Sequence, residues 1–310
     1  MLWSPHLTVK KLFSLPTNCN MFSKACTIAA QYTYPVFVSY YYFDKTVESS
    51  LGAFVIINDE GWIITAAHIL ESGMRGQQHA TEIQKYNEAV AYIENQKNID
   101  EKEKKRRINK LGSNAKWIRK FSYWWGADKH AVRQWFFLKE NDIAIGKIEN
   151  FDPAFIKNYP VFKEPEDLQH GTSLCKLGFP FYEAKATYNV DNNSFAFDAS
   201  VFPVPRFPLE GIFTRDIAAG KSADKKYDIK FIETSSPGLR GQSGGPTFDK
   251  EGRIWAIQSQ TRHMPLGFSP KLKMGDKEVI ENQFLNVGWG AHVATILKFL
   301  DEHGVKYQKG

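Results

Sequence analysis

The stretch Gly241-Gln242-Ser243-Gly244-Gly245-Pro246 limits what this chain can become more than any other. Glycine suits left-handed backbone and close approach by another chain. A buried turn with three of them costs conformational entropy that something must offset. A serine held there reads as a nucleophile. The N–H groups of Gly241 and Ser243 would then converge on one point as an oxyanion hole. The plainer alternative is a glycine-rich hairpin turn with an incidental serine. A free hydroxyl is a weak nucleophile and needs a base, so the rest of the chain must supply one.

Two stretches do. In Gly61-Trp62-Ile63-Ile64-Thr65-Ala66-Ala67-His68 an apolar strand runs into a histidine flanked by small residues. In Glu140-Asn141-Asp142-Ile143-Ala144-Ile145 an aspartate opens an alternating apolar strand. With these three motifs in the order His68, Asp142, Ser243, the chain resembles the trypsin/chymotrypsin-like serine peptidases. It looks closest to their bacterial, disulfide-free branch, which includes the heat-shock proteases. The resemblance covers roughly residues 30 to 300.

The resemblance implies an all-β fold of two antiparallel six-stranded barrels. His68 and Asp142 would come from the first and Ser243 from the second. It implies an endopeptidase acting on polypeptides through an acyl-enzyme. In that scheme His68 is the base, Asp142 its orienter, and Gly241 and Ser243 the oxyanion hole. The floor and walls of the substrate pocket map to Pro237, Gly238, Leu239 and Arg240 and to Ser259, Gln260 and Thr261. Pro237 stands where trypsin carries an aspartate, so small or aliphatic side chains are expected at the cleaved bond. Gln242 replaces the aspartate that pairs with a new N-terminus in zymogens, so activity without N-terminal processing is expected. A catalytically silent or partner-activated binding module on the same fold is the alternative.

The motif Gly241-Gln242-Ser243-Gly244-Gly245 also fits the nucleophile elbow of α/β-hydrolases. That elbow needs a helix directly after the serine and its acid and histidine further along the chain. Here Pro246 and the turn residues Asp249-Lys250-Glu251-Gly252 follow and start a hairpin instead.

Elsewhere the chain is read in order. Residues 1 to 30 form an N-terminal extension with a short helix from Phe22 to Ala30, and the peptidase domain runs over 31 to 305. Strands are expected at Val36–Tyr42, Leu51–Ile57 and Gly61–Thr65, then at intervals after Asp142, at Arg253–Thr261, and a helix at Val293–Leu300. Few residues follow that helix, so the peptide-binding module that many relatives carry there is not expected. From 72 to 114 the sequence turns polar and helical in period, which reads as an inserted helical hairpin. Trp117, Trp124, Trp125, Trp135, Phe136 and Phe137 are expected to anchor it. Residues Lys102 to Lys120 carry nine basic side chains against one acidic one, Glu103. This arm is read as a contact for a regulatory protein partner, not for nucleic acid. Three cysteines, Cys19, Cys26 and Cys175, make no disulfide framework and point to a reducing, cytoplasmic setting. No segment has the length or apolarity of a membrane span, and no metal or cofactor is implied.

Overall fold

The computed structural model describes residues 21–127, 130–164, 168–275, 277–280 and 283–310. Residues 1 to 20, and with them Cys19 and most of the expected extension, lie outside the described residues. The chain is mostly β, in two large, curled, largely antiparallel sheets and two small two-stranded ones. The first contains β1 (Thr33–Tyr42), β2 (Val47–Ile56), β3 (Trp62–Ala66), β4 (Ile118–Trp125), β5 (Val132–Leu138) and β6 (Ile143–Ile148), in the order β4-β1-β2-β3-β6-β5.

The later strands are β7 (Val161–Phe162), β8 (Ser173–Gly178), β9 (Ala186–Asn189), β10 (Ser194–Phe197), β11 (Phe207–Lys221), β12 (Asp228–Thr234), β13 (Pro246–Phe248), β14 (Ile254–Pro265), β15 (Lys271–Met274), β16 (Lys277–Ile280), β17 (Phe284–His292) and β18 (Gln308–Lys309). Eight of them form the second sheet, in the order β13-β8-β11-β12-β17-β14-β7-β18, and a further β13–β14 pairing joins the ends of its six-strand run. The short β7 and β18 add to it in parallel, so this sheet has eight strands where six were expected. Pro246 begins β13, so a strand and not a helix follows Ser243, which removes the α/β-hydrolase elbow.

Period-2 alternation explains why the strands near His68 and Asp142 are apolar throughout. Successive side chains point to opposite faces, and here both faces are covered. Val55 and Ile57, Trp62 and Ile64, and Ile143 and Ile145 join one apolar cluster with Phe231, Phe248, Ile257 and Ile296. Phe54 and Ile56, Ile63, and Ala144 and Ile148 join another inside the first sheet. The first cluster contains residues from both sheets, so burying it holds the sheets together. Its ends are closed by α1 (Ser23–Ala29), through Ala25 and Ala29, and by the last helix in the chain, Val293–Glu302, through Ile296, Phe299 and Leu300. The β2–β3 turn is set by Asn58, whose side-chain oxygen accepts from the N–H of Glu60 at 3.1 Å and of Trp62 at 3.3 Å.

Two helices fill the expected arm: α2 (Glu71–Glu94) and α3 (Glu101–Leu111). With them the final helix is α4. Asp100 caps α3 by accepting from the N–H of Glu103 at 2.7 Å, and α3 has no buried residue. The root of α2 is fixed by one tyrosine on β4. The Tyr123 hydroxyl lies 2.8 Å from Ser72 Oγ, accepts from the N–H of Gly73 at 3.1 Å and donates to the carbonyl of Leu70 at 3.2 Å. His79 Nδ1 accepts from the N–H of Ile118 at 2.9 Å. Of the aromatic anchors expected, Trp117 does meet the arm, with its ring 5.8 Å from that of Tyr86. Trp124 packs on Phe37 and Phe202, Trp125 on Phe54 and Trp135, Trp135 on Phe137, and Phe136 on Trp62 and His303. Those five were misassigned because aromatic content marks burial without saying against which element. Among the described residues no helix is long and apolar enough to cross a membrane.

Tyr123→Phe removes the hydroxyl that serves Ser72, Gly73 and Leu70, and should cost about 1–3 kcal/mol. The expected result is a lower Tm with faster amide exchange over residues 70 to 80. Amides in β3 and β6 should quicken only as far as the lost global stability allows, and hydrogen-exchange mass spectrometry reads both regions in one experiment.

Candidate active site

His68 sits in a 3-10 turn, Ala67–Leu70, that follows β3 directly. Asp142 stands at the head of β6, which pairs with β3, so strand register alone brings the two close: Ala66 lies opposite Ile143. The aspartate holds the histidine twice. Asp142 Oδ1 accepts from the His68 backbone N–H at 2.9 Å, and Oδ2 lies 2.8 Å from the ring Nδ1. A carboxylate only accepts, so Nδ1 carries the hydrogen and Nε2 is left with a free lone pair. Burial pulls the imidazole pKa down. The hydrogen bond and charge of Asp142, with Glu71, push it up by more, so the net shift is upward.

Asp142 occupies the left-handed region, with φ 55° and ψ 43°, which aspartate tolerates better than most residues. Its neighbour Asn141 is fully buried and reaches across to the second sheet, donating to the carbonyls of Asp228 at 3.3 Å and Lys230 at 3.4 Å. Ser259, on β14, donates to Asp142 Oδ2 at 2.6 Å. Both sheets therefore fix the carboxylate.

Ser243 lies in the turn before β13. Its carbonyl accepts from the N–H of Ala53 on β2 at 2.8 Å, and the next N–H, that of Gly244, donates to the carbonyl of Gln258 on β14 at 2.8 Å. Gly244 has φ +82°, and a Cβ there would collide with the carbonyl of Ala53. Gly241 has φ +94°, and a Cβ would fall 2.5 Å from the carbonyl oxygen of Phe179. No side chain fits either place. Gln242 is fully buried, and its side-chain oxygen accepts from the N–H of Leu239 at 3.0 Å, closing the turn on itself. Among the described residues the N–H groups of Gly241 and Ser243 donate to no protein acceptor. Ser243 Oγ donates weakly to the carbonyl of Ser259 at 3.4 Å and makes no hydrogen bond to His68.

His68, Gly241 and Ser243 line one cavity of about 1050 Å³, together with Gly52, Phe179, Tyr182, Leu239 and Arg240. Of the residues expected to form a substrate pocket, Leu239 and Arg240 line this cavity. Pro237, Gly238, Ser259, Gln260 and Thr261 do not line it. Thr261 Oγ1 donates to the carbonyl of Gly238, and Gln258 Nε2 donates to the carbonyl of Gln260 at 3.1 Å. Ser259 spends its hydroxyl on Asp142. Among the described residues no cluster of metal-ligating side chains occurs.

An imidazole with its far nitrogen free, lining one cavity with a serine hydroxyl and near two N–H donors that bond no protein acceptor, can serve acyl transfer. The class of protein agrees with that chemistry. A family model described as a trypsin-like peptidase domain matches residues 52–257, and the chain belongs to that family. No curated protein matches it in sequence. Similar solved structures include the Rv3671c protease from M. tuberculosis in its active form, at 11% identity over 94% of this chain and 89% of that chain, with a TM-score of 0.46. The HtrA-type protease AlgW with tripeptide is 16% identical over 92% of this chain, with a TM-score of 0.46. This chain spans 64% of the AlgW chain's length. Both scores are too low for anything to be carried over from either structure.

Lys176 is a residue that sequence reasoning passed over, although a lysine inside the apolar run Ser173–Gly178 was its signal. It is buried to 1% exposure. Its ammonium donates to the carbonyl of Ser236 at 2.6 Å, to Ser236 Oγ at 2.8 Å and to the carbonyl of Pro237 at 3.1 Å, so it props the segment leading to Ser243. Burial, against an opposing effect of Cys175, pulls its pKa down to about 7. The folded chain thus releases this proton near neutrality, while the unfolded chain holds it to about 10.5. Between those values the unfolded state binds more protons, so this lysine makes stability rise with pH. Lys176→Met should remove that slope. Relative to the wild type, the variant should lose on the order of 1–3 kcal/mol between pH 6.5 and 9.5, as read from urea midpoints at each pH.

Proposed function

We propose that the chain is a serine endopeptidase that cleaves polypeptides through an acyl-enzyme, with Ser243 as nucleophile, His68 as general base and acid, and Asp142 as its orienter. The observation that carries this reading is the doubly held His68–Asp142 pair facing the same cavity as Ser243. Ser243 attacks the carbonyl carbon while Nε2 of His68 takes the hydroxyl proton. The C–N bond then breaks and the same proton goes to the leaving amine. Water repeats the sequence to free the acid. The N–H groups of Gly241 and Ser243 receive the oxyanion, and their lack of other acceptors supports that role. The two sheets are read as the family's two barrels, with the cleft between them as the substrate's path. Small or aliphatic side chains are proposed at the cleaved bond. The locally bonded Gln242 supports activity without N-terminal processing.

The absence of a Ser243–His68 hydrogen bond favours one second reading, a partner-activated or silent site. Catalytic hydrogen bonds are often long without substrate and tighten on binding, so labelling separates the two. A fluorophosphonate should label Ser243 in the wild type, fail on Ser243→Ala and react far more slowly with His68→Ala. Peptide turnover should fall by at least about 10⁴-fold in either variant. No labelling with or without peptide substrate would establish the silent reading.

A pH profile adds an independent check. The base must be neutral, and its raised pKa means that activity is lost on acidification earlier than for an ordinary histidine. Asp142→Asn should move that acid limb to lower pH while cutting the rate by about 10⁴-fold.

A further inference from the structure

The cavity that holds Ser243 and His68 is not lined by the Ser259–Thr261 strand. On the peptidase reading that strand, whose Ser259 carbonyl meets Ser243 Oγ at 3.4 Å, would take the acyl side of the substrate. The cavity's walls are instead Val38 and Tyr40 of β1, residues 49–52 of β2, Phe179 and residues 181–183, residues 239–241 and the start of α2. A chain lying across Ser243 would therefore send its leaving-group side into this space. Two arginines border it, Arg75 and Arg240, both exposed, and neither is engaged in an ion pair among the described residues. The other charged groups on its walls are Glu183 and, when protonated, His68. Arg75 belongs to the arm and not to the sheets. It sits early in α2, directly after the Ser72 and Gly73 contacts with Tyr123 that fix the helix root.

We propose that Arg75 and Arg240 form a cationic wall of the leaving-group subsites. They select substrates with an acidic side chain within the first three residues after the cleaved bond. This rests on the peptidase reading of the same site. It gives the root of the inserted arm a direct part in substrate choice. A guanidinium with no carboxylate partner keeps its donors for an incoming carboxylate, in the planar geometry that suits bidentate pairing. Glu183 opposes the preference and limits it. Apolar neighbours on the walls, Phe179, Phe181 and Leu239, lower the local polarity and strengthen the pairing.

The test uses quenched fluorescent peptides identical on the acyl side, with Glu, Gln or Lys at each of the first three leaving-side positions. At one of those positions the wild type should prefer Glu over Gln by about fivefold in kcat/KM, the scale of one or two solvent-accessible ion pairs. Lys there should be the poorest. Arg75→Ala should bring the ratio close to one, Arg75→Lys should keep part of it, and Glu183→Gln should raise it. The preference should shrink in about 0.5 M NaCl. A ratio near one at all three positions, or one indifferent to both Arg75→Ala and Arg240→Ala, overturns the proposal. A second measurement needs no turnover. Fluorescein-labelled peptides matching the leaving-side product, acidic and neutral, are titrated into Ser243→Ala by fluorescence polarisation. Tighter binding of the acidic peptide, lost in the Arg75→Ala background, supports the wall even if Ser243 in the wild type resists the fluorophosphonate. In that outcome the peptidase reading fails alone. Equal binding of both peptides sinks the wall whatever the labelling shows.

Discussion

Everything near the cavity depends on the carboxylate of Asp142. One oxygen accepts from the His68 backbone and the other meets the ring of His68 and the hydroxyl of Ser259. Its own carbonyl accepts from the N–H of Ala67 at 3.1 Å. A carboxylate that accepts from several donors is held in position. Here the donors come from both sheets, so a change in how the sheets meet would reach the imidazole directly. Asn141 beside it, buried and bonded to β12, makes the same junction from the backbone side.

That junction is in turn sustained by apolar burial. The strands carrying His68 and Asp142 are covered on both faces, and one of those faces is shared with the second sheet. The serine turn is pinned at the same seam, with its carbonyl on β2 and the following N–H on β14. Tertiary packing and not local propensity decides where these side chains lie. This explains why a short turn with two left-handed glycines, Gly241 and Gly244, is tolerated at all.

Much of this was legible in the sequence. The strands around His68, Asp142 and Ser243 are dense in β-branched residues, and the Asn58-Asp59-Glu60 turn between β2 and β3 is specific. The helical period of residues 72–114 stood out because nothing within it alternates by two, and α2 and α3 lie where it pointed. Other features are properties of space and could not be read along the chain. The side chain of Ser259 looked like a pocket wall, yet it is turned onto Asp142 by a register shift in the β14–β17 ladder between Gln258 and Gln260. The short parallel strands β7 and β18 have two residues each, too few for any period to show. Five of six aromatic side chains assigned to the arm serve the sheets instead. Arg75 had no signal at all, because its place on the cavity follows from how Tyr123 seats the helix root.

The wedged position of the serine turn also orders events during folding. Ala53 and Ser243, joined backbone to backbone, are far apart in the chain, and such contacts form only after long loops have closed. A chain in which the first sheet alone has formed can pair the histidine with the aspartate, but it lacks Ser243. Ser243 reaches them only when the second sheet has docked. The cavity is therefore completed late, and on the proposed reading a half-folded copy could not cut its neighbours.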